Sequence, residues 1–231
     1  MTLNFSDLTR RLRAGEAATE ADIYNVLGAS PAATFALIEY AAELRGIYFG
    51  TGVTVLNLPG APGIPTAAVR LEVPAPLDAE ELTVSLLDTA DRPGALALDF
   101  VTGEGALVPM EALRVIAAAR ITAPAASLHL GPSREGALRS LQPLAVGAVD
   151  SLELIVDPAR PQLIYEDLRL IKGSGLTVAG AGERDLVAEY TELLRDLGVE
   201  DVEAYARVAL AGAKAGGCGG NCACGSGGCG S

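Results

Sequence analysis

Ala95-Leu-Ala-Leu-Asp-Phe-Val-Thr102, followed by Pro109 to Thr122 and then Ser127-Leu-His-Leu130, is the stretch on which the fold turns. An apolar run of strand length, a helix of about four turns opened by a proline, and a second apolar run form one strand–helix–strand unit. The unit recurs on both sides. Upstream, Val53–Leu58 and Ala67–Val73 read as strands, and Asp78-x-x-Glu81 caps a helix that reaches Ala90 before Asp91-Arg-Pro-Gly94 breaks it. Downstream, a helix from Arg134 to Leu144 leads to a strand at Ser151–Val156. A helix from Pro161 to Lys172 and a short strand at Leu176–Ala179 follow, then helices at 183–197 and 199–213. Apolar strands alternating with helices predict a parallel sheet covered by helices. Five or six strands are too few for a closed eightfold barrel, which takes roughly 250 residues. The expected fold is therefore α/β, a contracted or partial (β/α) barrel with parallel strands, with an open doubly wound sheet as the alternative.

Helices precede this region. Thr19 and Asp22 form a capping pattern for a helix that stops near Gly28. Ser30-Pro31 starts a longer helix, with Gly46 as its expected end or a weak point in it. The predicted organisation is an N-terminal helical segment over 1–52, an α/β domain over 53–213 and a Cys/Gly-rich tail over 214–231, expected to be flexible unless a ligand orders it.

Half of the 231 residues are apolar, so a sizeable core is available and global disorder is excluded. Acidic residues outnumber basic ones, 29 to 17, for a net charge of −12, which repels phosphate backbones. Trp is absent and aromatic residues are few, so base-stacking platforms are not expected either. No apolar run reaches the length of a membrane span, and Met1 to Arg13 lacks the apolar core of a secretory signal. These features predict a cytoplasmic protein that binds neither nucleic acid nor membrane.

All four cysteines, Cys218, Cys222, Cys224 and Cys229, lie in the last fourteen residues. A disulfide framework would spread its cysteines through the fold. Four clustered thiols separated by glycine suit a soft-metal site, and glycine leaves backbone N–H groups able to reach cluster sulfur. An iron–sulfur cluster, zinc or copper(I), a redox dithiol, or a peptide modified by other enzymes are the readings the spacing allows. Asp99, Glu104 and Glu111 fall near the C-terminal end of the third strand, where α/β folds place their sites. Glu111 reads more simply as a first-turn acid. Gly173-x-Gly175 and Gly180-x-Gly182 lack the rest of a phosphate loop and read as turns.

Three segments together resemble biotin synthase and its relatives in the radical S-adenosylmethionine superfamily. Tyr40-Ala-Ala-Glu-Leu-Arg-Gly-Ile-Tyr-Phe-Gly50 with Val53–Asn57 is similar to the family's N-terminal helix and first barrel strand. Glu111 to Ile121, followed by Leu128-His-Leu-Gly-Pro-Ser-Arg-Glu135, resembles a late barrel helix and the strand and turn after it. Leu141-Gln-Pro-Leu144 and Glu166-Asp-Leu-Arg-Leu-Ile171 look like the end of the biotin and thiamin synthesis-associated region. The resemblance implies a (β/α) barrel, an iron–sulfur cluster, S-adenosylmethionine and sulfur insertion. The family's Cys-x-x-x-Cys-x-x-Cys loop should follow the first strand, and here Asn57 to Pro65 holds no cysteine. Thiolates are the cluster's protein ligands, so this chain alone is not expected to cleave S-adenosylmethionine. The position aligned with the family's arginine ligand of the sulfur-donating cluster is His129, which reads as a buried strand-end histidine or as a metal ligand. Combined with the tail, the resemblance implies an accessory iron–sulfur or sulfur-handling protein that acts with a complete radical enzyme or a cluster-assembly protein. The alternatives are a precursor whose Cys-rich end is modified, or an enzyme with a metal centre built from His129 and the tail.

Overall fold

The computed structural model of the chain describes residues 4–59, 69–90, 94–103 and 105–211. Three helices come first: α1 (Phe5–Arg13), α2 (Glu20–Leu27) and α3 (Pro31–Phe49). Thr19 and Asp22 cap α2 reciprocally, each side chain accepting from the other's backbone N–H. Ser30 caps α3, and Pro31 sits at its first turn. Gly46 does not end α3. The helix runs one turn further to Gly50, whose φ of 60° reverses the chain. The buried guanidinium of Arg45 holds that last turn, donating to the carbonyls of Gly50, Gly52 and Val149. These bonds outweigh the cost of about 1 kcal/mol of one mid-helix glycine.

Strand β1 (Gly52–Val55) follows, then β2 (Val69–Val73), α4 (Ala79–Ala90), β3 (Ala95–Phe100), α5 (Pro109–Thr122) and β4 (Ser127–Leu130). The next crossover is a broken run rather than one helix over Arg134–Leu144. It comprises α6 (Arg134–Leu138), a 3-10 turn (Arg139–Leu141) and α7 (Gln142–Val146). The break falls at Arg139, whose φ of 50° and ψ of −123° cannot continue a helix. Then come β5 (Ser151–Leu152), α8 (Gln162–Gly173), β6 (Thr177–Val178), α9 (Leu186–Asp196) and α10 (Val202–Ala211).

The six strands form one sheet in the order β2-β3-β4-β5-β1-β6, and every pairing is parallel. From β2 to β5 each strand lies beside its predecessor, so the right-handed crossover rule winds that run in a single sense. This is the partial-barrel course rather than a doubly wound one. β1 departs from simple barrel order, because it sits between β5 and β6 and not beside β2.

Register sorts the side chains into two faces. Leu71, Leu98, Leu130, Leu152 and Val55 align across five strands on one face. Their row joins the core built with Leu113, Ile116 and Ile121 of α5 and Leu37, Ile38 and Ala41 of α3. Arg70, Ala97, His129, Ser151 and Thr54 align on the other face. Among the described residues no helix is long and apolar enough to cross a membrane.

Candidate functional site

The polar face is the candidate site. Its strands alternate, as in Val69-Arg-Leu-Glu-Val73 and Ser127-Leu-His-Leu130, so every second residue is turned from the apolar core. At its centre Nδ1 of His129 lies 3.1 Å from Oγ of Ser151 on the neighbouring strand. Both side chains are buried, at 4 % exposure. One position further along the same face, Glu72 and Asp99 are register partners. Arg70 donates to Asp99 at 2.5 Å, and both side chains are partly open to solvent. Gly131 lies beside Asp99, and a Cβ there would stand 3.0 Å from its Oδ1. A cavity of about 390 Å³ opens between Arg70, Glu72, Asp99 and Phe100.

Burial pushes the His129 pKa down to about 4; Asp99 pulls it up, and Arg134 and Arg70 push it down again. The imidazole is therefore uncharged at neutral pH, with one nitrogen carrying a hydrogen and the other able to accept. The face combines this neutral base, a serine hydroxyl, a carboxylate and a guanidinium, a set that can bind and orient a small polar molecule.

Two buried ion pairs fix β4 and β5 at opposite ends. At the N-terminal end Arg120 donates to Asp150 at 2.6 Å and to the carbonyls of Pro124, Ala126 and Ala148. Asp150 also accepts from Ser127 Oγ and the Leu128 N–H. At the C-terminal end Arg134 donates to the carbonyls of Gly131 and Glu153 and to Asp167 Oδ2, which also accepts from the Ile155 N–H. Burial raises the Asp167 pKa against the pull of Arg134. The clamps hold His129 and Ser151 in register.

The sequence-derived candidates fall in different places. His129 and Asp99 share the polar face. Glu111 instead accepts from the Val108 N–H at the start of α5, a helix-capping role. Glu104 and Cys218, Cys222, Cys224 and Cys229 lie outside the described residues. Most of the loop after β1 does too, but its first part is tied down. Asn57 exchanges two hydrogen bonds with the backbone of Leu154, and its carbonyl accepts from Tyr190. Ser151, Arg70 and the Arg134–Asp167 pair were not singled out from sequence. The two-residue alternation of β2 and β4 was the available signal for Arg70. Among the described residues no group of three His, Cys, Asp or Glu side chains is placed to hold a metal ion. The described residues thus do not fit a radical-generating cluster, and the thiols of this chain are confined to its tail.

The architecture defines an α/β protein whose parallel sheet carries a polar, histidine-bearing face, in the manner of a partial barrel. Three curated proteins place it further. The chain is 37 % identical to biotin synthase of Kocuria rhizophila over 83 residues, which is 36 % of this chain and 18 % of that protein. It is 37 % identical to biotin synthase of Renibacterium salmoninarum over 73 residues, 31 % of this chain and 21 % of the relative. It is 36 % identical to biotin synthase of Streptomyces coelicolor over 78 residues, 33 % of this chain and 19 % of the relative. Over about a third of its length the chain is biotin synthase-like, and it spans about a fifth of the length of these relatives. No family model and no solved structure matches it.

Proposed function

We propose that this chain is an accessory protein related to biotin synthase, one that carries an iron–sulfur cluster or transferable sulfur on its cysteine tail. It works in the cytoplasm with a complete radical S-adenosylmethionine enzyme or a cluster-assembly protein. One observation supports this reading above the others: a biotin synthase-like stretch occurs in a chain whose only thiols are the four between Cys218 and Cys229. Four thiolates match the ligand demand of one cluster, and zinc or copper(I) would accept the same donors. The polar face around His129 and Asp99 then serves to bind a small polar ligand and not to generate a radical.

The test is anaerobic purification followed by iron and acid-labile sulfide analysis. Iron with equimolar sulfide is expected, and truncation after Ala215 should abolish both while leaving the circular dichroism spectrum unchanged. Adding the loaded protein to a complete biotin synthase should raise its product yield per enzyme. Stoichiometric zinc without sulfide would replace the cluster reading. Mass shifts confined to the tail in protein isolated from its native cells, with no metal, would favour the modified-precursor reading instead.

A further inference from the structure

A second cavity lies away from the polar face, between α8 and the broken α6–α7 run. Its volume is about 510 Å³, and Leu163, Glu166, Asp167 and Leu170 bring one face of α8 to it. Asp167 is 96 % buried by its 4 % exposure, yet both of its hydrogen bonds fall on Oδ2. Oδ1 accepts none among the described residues. Gln142, across the groove, has its Oε1 atom buried with no partner. A buried acceptor without a donor costs roughly 1–3 kcal/mol, so Gln142 Oε1, in the same cavity as the uncommitted Oδ1 of Asp167, calls for a ligand that supplies N–H groups.

The rim adds charge of both signs. Glu166 and Arg139 both line the cavity, and neither has an ion-pair partner among the described residues. Arg139 is held there by a left-handed backbone that a non-glycine residue adopts at a cost of roughly 1–3 kcal/mol. Ile155, Leu163 and Leu170 form the apolar wall between. Donor-seeking acceptors, an unpaired cation and an aliphatic wall in one groove match a molecule with an ammonium end, a carboxylate end and a hydrocarbon between them.

We infer that the groove between α7 and α8 binds a small aliphatic zwitterion, its ammonium on Asp167, Gln142 and Glu166 and its carboxylate on Arg139. The site is separate from the polar face and does not depend on the tail.

Calorimetric titration of the full chain with 6-aminohexanoate tests it, with hexylamine and hexanoate as single-charge controls. Saturable binding of 6-aminohexanoate, roughly tenfold tighter than either control, is expected. Leu170→Trp, which fills the groove from a partly buried wall position, should abolish binding while the variant stays folded. Arg139→Ala should reduce 6-aminohexanoate to the affinity of hexylamine. Absence of saturable binding, equal binding of the three compounds, or unchanged binding by a folded Leu170→Trp variant would each overturn the assignment.

Discussion

Nδ1 of His129 and Oγ of Ser151 stand 3.1 Å apart on adjacent parallel strands, each nearly closed to solvent. The imidazole therefore has one committed nitrogen, and protonating it means placing a charge where burial opposes it.

That gives a pH dependence with a definite sign. His129 has its pKa lowered from an ordinary 6.5 to about 4 in the folded chain. Its stabilising share is complete above pH 6.5 and is lost as pH falls toward 4, because the unfolded state takes up the proton first. The loss amounts to roughly 3 kcal/mol at most. His129→Gln keeps a hydrogen-bonding group without the titration. Urea unfolding of both proteins between pH 4 and 7 should show a shallower fall for the variant, and parallel curves would refute the burial argument.

Asp150 collects three donors, from Arg120, Ser127 and Leu128. Replacing it with Ala leaves the Arg120 charge buried and unpaired, which costs about 3–5 kcal/mol. Asp150→Asn retains acceptor capacity and should cost less. Chemical denaturation followed by circular dichroism ranks the two.

Arg139 is strained, so relieving the strain should stabilise the chain. Arg139→Gly is expected to raise stability by about 1 kcal/mol, the gain at φ 50° exceeding the entropy lost to glycine. A drop in melting temperature would mean that the guanidinium contributes more than its backbone costs.

The isolated chain should not cleave S-adenosylmethionine. Its loop from Asn57 to Pro65 has no thiolate. With a low-potential reductant and no partner enzyme, 5′-deoxyadenosine should stay at background. Its formation above background would relocate the catalytic cluster to the tail.

Elements governed by local chemistry were legible in the residues. Pro109–Thr122 and Ser127–Leu130 have the boundaries their proline, period and flanking loops predict. The reciprocal cap of Thr19 and Asp22 is likewise where its spacing puts it. Three features escaped, two of them because distant groups decide them. The turn past Gly46 depends on Arg45 reaching Val149, 104 residues away. The break at Arg139 leaves no mark in a sequence where a glycine would have announced it. The site was half legible: His129 and Asp99 stood out as chemical types, whereas Ser151 acquires its role only through β4–β5 register.

The position of β1 sets an order for assembly. Thr54 finds its partner at Ser151, and Gly52 finds its partner at Thr177, while β2, β3 and β4 pair with near neighbours in sequence. On a chain emerging from the ribosome, β1 is made first among the strands but has nothing to pair with for roughly a hundred residues. The nascent protein must keep the apolar side of β1, Val53 and Val55, covered by the helices already made until β5 arrives. A chain stopped before Ser151 would therefore leave β1 exposed and prone to association.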